Sequence, residues 1–292
     1  MATVTVTLQD YKTSEKAWWC PGCGDFGVLA ALQKALVELE IEPHNVAVVA
    51  GIGCSGKIGN YINAYNIHVT HGRTMPVALG LKLANRDLTV IAAGGDGDGY
   101  AIGMSHFLHA MRRNPDITYI VMDNRIYGLT KGQTSPTSQT GFETKSTPDG
   151  NLERPVQPIQ LALAAGATYV AQGFSSNQKQ LVRLIKGAIQ HKGFALVNTF
   201  SPCVTFNKVN TYDWFKEHLV DLDEVPDYDP HDRVAAMRFV AEHDGLVTGL
   251  IYQEPESIPF EEKLPGLGRR PLAAQDLRPD KEKLQQILAQ FR

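Results

Sequence analysis

The chain has 292 residues, of which 43% are hydrophobic and 20% are charged, and its formal net charge is -3. These values are typical of a globular protein with its own core, and the length allows one large or two small domains. The slight negative charge argues against a nucleic-acid-binding protein, which usually presents a basic face. We therefore expect no nucleic-acid partner.

The sequence also predicts a cellular location. Its first ten residues contain neither a basic segment nor an apolar one, so we expect no secretory signal. No uninterrupted apolar run approaches the ~20 residues that a membrane-spanning helix needs. We expect a cytoplasmic protein with no membrane contact. In that reducing compartment the four cysteines are expected to be metal ligands, catalytic groups or buried thiols rather than disulfides.

Short β-branched runs alternate with longer segments of helical periodicity. Strands are predicted at 46–50, 66–70, 88–93, 117–122, 167–171 and 195–200, and helices at 26–40, 75–86, 100–113, 158–165, 177–191 and 230–243. This alternation indicates βαβ units, hence a mostly parallel sheet with helices on both faces. Two of the runs, 88–93 and 117–122, are apolar almost throughout, as strands covered on both faces should be. We predict an α/β fold.

Two stretches depart from this alternation. Residues 132–157 are polar and rich in Gly, Thr, Ser and Pro, and they are too long for an ordinary connection. The segment after about residue 205 is rich in Asp, Pro and Glu and shows weak periodicity. We predict an α/β domain over residues 1–205 that carries the functional site. Residues 206–292 are predicted to form a C-terminal extension that packs on a partner subunit.

The unusual clusters of residues follow the ends of predicted strands. Five predicted strands are followed in this way, by the segments 51–57, 71–73, 94–98, 123–124 and 201–203. In open parallel α/β sheets, ligands bind at the carboxyl ends of the strands. Five loops are therefore expected to meet at one site.

The segment GGDGDG, residues 94–99, follows a predicted strand and opens a predicted helix. Glycines let the backbone approach a ligand closely, and a helix N-terminus attracts phosphate. Asp96 can supply a carboxylate to Mg²⁺, and Asn124, 28 positions later, can add an amide oxygen beside the Ile126 carbonyl. The alternative is a glycine-rich turn with an N-capping aspartate. The GDG-to-Asn pattern resembles the thiamine-diphosphate motif of the pyruvate decarboxylase and transketolase superfamily.

The segment GIGCSGKI, residues 51–58, resembles two nucleotide-binding motifs but satisfies neither. A phosphate-binding loop needs a hydroxyl residue at position 58 to hold Mg²⁺, and Ile58 has none. A dinucleotide-binding fold needs an acidic residue ~20 positions further on, where the sequence reads THGRT. A glycine turn that presents Cys54 explains the segment better.

The four cysteines come from three segments of the chain. Cys20 and Cys23 form a C-x-x-C pair, whereas Cys54 and Cys203 stand alone at predicted strand ends. Four thiolates can ligate Zn²⁺ or a [4Fe–4S] cluster, and unrelated buried thiols with a redox C-x-x-C are a third possibility. Placement favours the cluster, because an electron acceptor has reason to lie on the rim that holds a thiamine site.

Taken as an ordered set, these segments resemble the β subunit of 2-oxoacid:ferredoxin oxidoreductases. The resemblance covers about residues 15 to 260 and is carried by CPGCG at 20–24, GIGCSGK at 51–57, HGR at 71–73, GDGD at 95–98, DNRIYGLTKGQTSPT at 123–137 and SPCVTFN at 201–207. It implies oxidative decarboxylation of a 2-oxoacid with coenzyme A, giving acyl-CoA, CO₂ and two electrons for ferredoxin.

The resemblance also implies a role for each matched residue. Asp96, Asn124 and the Ile126 carbonyl would bind Mg²⁺, and Cys20, Cys23, Cys54 and Cys203 would ligate the [4Fe–4S] cluster. Thiamine diphosphate would be contacted by Ile52, Gly53, Ser55, His71, Gly95, Gly97, Asp98, Asn124, Tyr127, Gly128, Leu129 and Thr130. The catalytic and substrate-side candidates are Lys57, His71, Arg73, Leu129 and Lys131.

One necessary group is missing from the chain. Thiamine enzymes activate their cofactor through a glutamate that is typically supplied by a separate pyrimidine domain, and no second α/β unit of that length is present here. We therefore expect an α subunit that supplies this glutamate and the coenzyme A site, in an (αβ)₂ heterotetramer. Ferredoxin is the expected electron partner, because no C-x₂-C-x₂-C-x₃-C run provides further clusters.

The sequence favours 2-oxoglutarate as the substrate, because HGR and the neighbouring cations resemble the 2-oxoglutarate members of the family. A second carboxylate on the substrate could pair with Lys57, Arg73 or Lys131. Pyruvate or a broad range of 2-oxoacids is the alternative. Two rival functions also stay open: a non-oxidative thiamine enzyme with structural zinc, and a nucleotide-binding regulatory module that uses residues 51–58.

Overall fold

The computed structural model of the protein describes residues 5–265, 270–276, 278 and 280–291. Its strands are β1 Val46–Ala50, β2 Tyr65–His68, β3 Thr89–Gly95, β4 Ile117–Asp123, β5 Tyr169–Phe174, β6 Phe194–Phe200, β7 Val220–Asp221 and β8 Val247–Gln253. Its α-helices are α1 Asp25–Glu38, α2 Thr74–Ala84, α3 Met104–Arg113, α4 Pro158–Ala164, α5 Gln178–Gln190, α6 Tyr212–His218, α7 Arg233–Glu242, α8 Phe260–Lys263 and α9 Lys281–Ala289.

The eight strands form one sheet in the order β2-β1-β3-β4-β6-β5-β8-β7. All neighbouring strands run parallel except β5 and β8. Helices α1 and α5 cover one face, and α2, α3, α4 and α7 cover the other, each over its own hydrophobic core. The central strands are buried along almost their whole length, which explains their continuous apolar sequences. The predicted α/β fold is confirmed.

All the predicted strands and helices are present, with their ends shifted by a few residues. The predicted helix over 100–113 is the least regular, because a π-helical turn at Asp98–Ile102 precedes α3. Residues 124–157 contain no helix and no strand, only isolated bridges, as expected for a long connection.

The sequence did not predict β7, β8 or α6. Strand β8 lies beside β5 in the same sheet, so part of the segment after residue 205 completes the main core. Gly249 has a φ of +120° and the β5–β8 register shifts at Val170/Ala171, so the alternation of buried and exposed residues is broken. Because of this irregularity, the hydrophobic periodicity of the sequence does not indicate the strand. Packing of this segment on a partner stays a prediction.

The longest described helix, α1, has 14 residues. Within the described ranges, no helix is long and apolar enough to cross a membrane.

Candidate functional site: a thiamine cavity beside four cysteines

A cavity of about 530 Å³ lies at the carboxyl ends of the central strands. The loops after β1, β2, β3 and β4 form its walls, so four of the five predicted loops meet here. Every residue expected to contact thiamine diphosphate lines this cavity, together with Gln133 and Thr134, which the sequence did not indicate. The volume falls in the range of ~300–1,000 Å³ that is usual for small-molecule sites.

The predicted Mg²⁺ ligands lie on one wall of the cavity. Gly95 pairs with Met122 across β3 and β4, so Asp96 and Asn124 follow neighbouring strand ends. The side chains of both residues are buried, and both line the cavity with Ile126. The Asn124 Oδ1 accepts a hydrogen bond from the Ile126 N–H at 3.0 Å, which fixes the turn. This oxygen-rich wall fits a hard divalent cation.

The carboxyl groups of Asp96 and Asp123 form a buried pair at that wall. The Thr137 hydroxyl oxygen lies 2.7 Å from Asp96 Oδ2 and 2.8 Å from Asp123 Oδ1. One hydroxyl has one proton, so it can donate to only one of the two carboxylates. Burial, reinforced by the Asp123 carboxylate, raises the pKa of Asp96 to about 7. A cation on Asp96 would add positive charge to that of Arg125, which acts on both carboxyl groups.

Glycines keep the cavity open at two close approaches. A Cβ on Gly97 would lie 2.1 Å from Tyr127 Cε1, and one on Gly95 would lie 2.7 Å from Ser55 Oγ. The Tyr127 hydroxyl donates to the Gly97 carbonyl at 3.3 Å, so the ring is held against the turn. Both glycines are therefore required by packing at the position predicted for the cofactor.

Asp98 has a different environment from the one expected. It lines the cavity, but its buried carboxylate accepts hydrogen bonds from the N–H groups of Ile52 and Gly72 at 3.0 and 2.9 Å. It also accepts from the Thr74 hydroxyl at 3.0 Å, and His71 Nδ1 lies 3.1 Å away. Asp98 thus joins the loops after β1, β2 and β3, which makes it a structural centre of the cavity wall.

All four cysteines line a second cavity of about 270 Å³. The Gly24 N–H donates to the Pro202 carbonyl at 3.1 Å, which joins the C-x-x-C turn to the Cys203 loop. The Trp19 indole N–H donates to the Cys54 carbonyl at 2.7 Å. Three separate segments are therefore held together at the fifth predicted loop.

The environment of these thiols favours a bound cation. Burial, together with the Asp25 carboxylate and neighbouring thiols, raises the pKa of Cys54 to about 11, and burial raises the pKa of Cys23 still further. A thiolate at either position therefore needs more positive charge than Lys57 supplies near Cys54. A Cβ on Gly128 would lie 3.6 Å from both Cys54 Sγ and Cys203 Sγ, so these sulfur atoms are at most twice that distance apart.

The arrangement of the four cysteines is relevant to whether they bind a single metal ion or an iron–sulfur cluster. Among the described residues, no group of three or more His, Cys, Asp or Glu side chains is arranged to hold a single metal ion. A zinc site needs four ligands within about 2.3 Å of one centre, whereas a four-iron cluster spreads its cysteine ligands over several metal atoms. Four thiols that line one cavity meet the ligand number of either group.

The two cavities adjoin each other. Cys54, Asn124, Gly128 and Leu129 line both of them. The thiamine cavity and the four cysteines are therefore separated by the thickness of one wall.

The five catalytic candidates lie in different parts of the structure. His71 and Leu129 line the thiamine cavity, and Leu129 reaches the cysteine cavity as well. Lys57 and Lys131 line the cysteine cavity. Arg73 lines neither cavity, because it is exposed at the start of α2, where its guanidinium lies 3.4 Å from the Gly72 carbonyl.

Two contributors to the site had no sequence signal. Thr137 lies in the polar loop 41 positions after Asp96, and only the folded loop brings its hydroxyl to both carboxylates. Trp19 was indistinguishable from a core tryptophan.

The loop 51–56 turns back on itself, since a Cβ on Gly56 would lie 1.8 Å from the Gly51 carbonyl oxygen.

Comparison with known proteins agrees with this geometry. Residues 51–199 match the family model described as thiamine pyrophosphate enzyme, C-terminal TPP binding domain. Residues 203–269 match the family model for the C-terminal part of the pyruvate ferredoxin oxidoreductase beta subunit. The fold and its cavity are thus those of a thiamine-diphosphate-dependent enzyme.

Similar proteins define the family more closely. Subunit beta of 2-oxoacid:ferredoxin oxidoreductase 2 from Aeropyrum pernix is 43% identical over 265 residues, covering 87% of this chain and 86% of its own. The 2-oxoglutarate synthase subunit KorB of Archaeoglobus fulgidus is 43% identical over 216 residues, covering 71% and 80%. A solved 2-oxoglutarate:ferredoxin oxidoreductase from Magnetococcus marinus, with 2-oxoglutarate, coenzyme A and succinyl-CoA bound, is 41% identical at a TM-score of 0.89, covering 97% and 96%.

The chain belongs to the family of 2-oxoacid:ferredoxin oxidoreductase β subunits. It is therefore a thiamine-diphosphate-binding subunit of an oxidoreductase, and a β subunit implies an α partner. The family resemblance inferred from the motifs is confirmed.

Proposed function

We propose that this chain and an α subunit form a 2-oxoglutarate:ferredoxin oxidoreductase, assembled as (αβ)₂. The enzyme interconverts 2-oxoglutarate plus coenzyme A with succinyl-CoA plus CO₂ and exchanges electrons with ferredoxin through a [4Fe–4S] cluster. The observation that carries the proposal is the shared wall of the two cavities, formed by Cys54, Asn124, Gly128 and Leu129.

The residues around the thiamine cavity have separate proposed roles. Asp96, Asn124 and the Ile126 carbonyl would hold Mg²⁺, while the Gly95–Gly97 turn leaves room for the diphosphate. Thiamine diphosphate, when bound, supplies the nucleophilic carbon and the electron sink for decarboxylation. Leu129 covers the boundary of both cavities with half of its surface exposed, which places an apolar group where water must be excluded.

The four cysteines would hold the cluster close to the cofactor. Burial raises the pKa of Cys54, and Lys57 nearby offsets a small part of that rise, which favours the thiolate that a cluster requires. The α subunit would supply the pyrimidine-side glutamate and the coenzyme A site. Ferredoxin would then accept electrons at this cluster.

Cofactor content tests the cluster. We expect the αβ complex, purified without oxygen, to contain about four irons and four sulfides per β chain with one thiamine diphosphate. Cys203→Ser should lower the iron content at least twofold and leave thiamine diphosphate bound, because Cys203 lines only the cysteine cavity. A colourless complex that contains zinc would support the rival non-oxidative thiamine enzyme instead.

Relative specificity tests the substrate. The relatives named for 2-oxoglutarate support a substrate with a second carboxylate, and Lys57 and Lys131 in the adjoining cysteine cavity are the proposed partners of that carboxylate. One charge-assisted hydrogen bond contributes about 1.5–3 kcal/mol, so kcat/KM for 2-oxoglutarate should exceed that for pyruvate at least tenfold.

Substitution of Lys57 and Lys131 tests whether these cations cause the preference for 2-oxoglutarate. Lys57→Gln and Lys131→Gln should reduce the 2-oxoglutarate preference, whereas Lys179→Gln on the exposed side of α5 should not. Equal kcat/KM values for both substrates would instead establish a pyruvate or broad-range enzyme.

A further inference from the structure

A third cavity, of about 500 Å³, opens at the same edge of the sheet and shares no lining residue with the thiamine or cysteine cavity. Its walls come from the loop after β4, the polar connection before α4, helix α6 and the turn before β8. Its base includes Asp123 and Thr137, so it lies behind the wall that holds Asp96. The proposed function assigns no role to it.

Arg125 is the unusual residue of this cavity. Its guanidinium lies 5.3 Å from the ring centre of Phe200 and 5.4 Å from that of Trp214, both of which line the cavity. Its Nε is buried without a hydrogen-bond partner, and within the part of the chain that the structure describes no carboxylate forms an ion pair with it. The side chain is partly buried, and its charge is stabilised by the two rings and, without a hydrogen bond, by the nearby Asp123 carboxylate.

The backbone is fixed in the conformation that directs this side chain. Arg125 has a φ of +57°, a left-handed conformation that is strained for a non-glycine residue. Its N–H donates to Asp123 Oδ1 at 3.2 Å, and its carbonyl accepts from the Ser138 hydroxyl at 2.7 Å. Both flanking peptide groups are therefore held, while the Nε donor of the guanidinium stays available for a hydrogen bond to a ligand.

The walls indicate the kind of anion. Pro155, Pro158 and the two rings offer apolar surface, and Gln139 and Gln157 offer amides. Asp123 and Asp244 also line the cavity, which disfavours a doubly charged phosphate. A guanidinium binds a carboxylate through two parallel hydrogen bonds. We propose that the Arg125 cavity binds a small organic monocarboxylate, at a site separate from the thiamine cavity.

Calorimetric titration of the αβ complex tests the site. The probes are acetate, isobutyrate, benzoate and inorganic phosphate, none of which has the keto group that the reaction consumes. We expect isobutyrate or benzoate to bind once per β chain, more tightly than acetate and than phosphate, because the apolar walls contact the body of the ligand. No binding by any carboxylate at 10 mM (a concentration on the order of ten times a millimolar Kd) would overturn the proposal, as would binding of phosphate alone.

Variants assign the binding to Arg125. Loss of a charge-assisted bidentate pair costs about 1.5–3 kcal/mol, so Arg125→Gln should weaken carboxylate binding at least tenfold. Arg125→Asn should do the same, and it keeps a residue type that tolerates a positive φ, which protects folding. The matched control Arg112→Gln, on the exposed end of α3, should bind like the wild type. Unchanged binding in both Arg125 variants would contradict the assignment.

Discussion

Asp96 and Asp98, two positions apart in the sequence, have different hydrogen-bonding environments in this site. The Asp98 carboxylate is satisfied by the N–H groups of Ile52 and Gly72 and by the Thr74 hydroxyl, so it holds three loops in register. Asp96 shares the Thr137 hydroxyl with Asp123 and is also contacted by Ser135 and the Gly97 backbone, yet burial and the Asp123 carboxylate raise its pKa. The carboxylate whose charge is disfavoured by its surroundings is therefore the one that fits the proposed Mg²⁺ site.

At the residue scale, we predict that Gly97→Ala weakens thiamine diphosphate binding. The added Cβ would lie 2.1 Å from Tyr127 Cε1, so the ring must move into the cavity. Displacing a packed ring typically costs about 1–3 kcal/mol, which corresponds to roughly a tenfold or larger rise in the Kd for the cofactor. Equilibrium binding of thiamine diphosphate with Mg²⁺ measures this.

Gly80→Ala is the matched control, because no atom lies within 4 Å of the position its Cβ would take on α2. It should bind the cofactor like the wild type and be slightly more stable, since alanine favours a helix by up to ~1 kcal/mol over glycine. If Gly97→Ala bound thiamine diphosphate as tightly as Gly80→Ala, the packing argument for the turn would be wrong.

At the scale of elements, the amino ends of the strands are held by a buried polar cluster remote from the cavities. The Thr168 hydroxyl lies 2.7 Å from both His191 Nε2 and Asn114 Oδ1, and it joins the start of β5 to the end of α5. Asn114 also accepts from the Phe194 N–H at 2.7 Å, so the start of β6 belongs to the same cluster. These contacts fix the strand register that places the loops at the opposite edge.

The cluster predicts a pH dependence of stability. Burial lowers the pKa of His191 from 6.5 to about 4. Between these two values the unfolded chain binds more protons than the folded one, so stability decreases as the pH falls below 6.5. This group should make the complex about 1 kcal/mol less stable at pH 5.5 than at pH 7.5. Chemical denaturation of the αβ complex at both pH values measures the difference.

His191→Asn should reduce that pH dependence, because it removes the group that must be charged on unfolding. His44→Asn is the control, since His44 is exposed in the connection before β1. An unaltered pH dependence in His191→Asn would show that other groups account for it.

At the scale of the whole molecule, the C-terminal helix has an apolar stripe that the described residues of the chain leave exposed. Leu284, Ile287, Leu288 and Phe291 are 40, 49, 52 and 84% exposed, and their spacing puts them on one face of α9 and its end. Amphipathic helices bury such a stripe against a partner. This agrees with the prediction that the C-terminal segment packs on the α subunit.

We therefore predict that Leu284→Ser with Leu288→Ser weakens αβ association. Burial of one leucine side chain contributes about 1.5–3 kcal/mol, so the Kd of the subunits should rise at least tenfold. Sedimentation velocity over a range of concentrations measures it. The control Gln285→Ser with Gln286→Ser, on the same helix, should associate normally. Equal association of both variants would contradict the predicted contact.

The positions of six strands and of the loops at their carboxyl ends followed from the sequence, and the family resemblance supplied most of the cavity-lining residues. β-Branched apolar runs form strands wherever they are buried, and glycine-rich turns at their carboxyl ends converge in any parallel sheet. Asp96, Asn124 and the four cysteines could therefore be grouped before their positions were known. The family followed from the order of the same motifs.

Only the tertiary structure decided what depends on distance between remote segments. It brought Thr137 between two carboxylates, turned Asp98 towards the loops, and left Arg73 outside both cavities while Lys57 and Lys131 line the cysteine side. It also added β8 to the sheet through an irregular antiparallel pairing. A sequence encodes local conformation through neighbouring residues, but side-chain contacts depend on how segments far apart in the chain pack together.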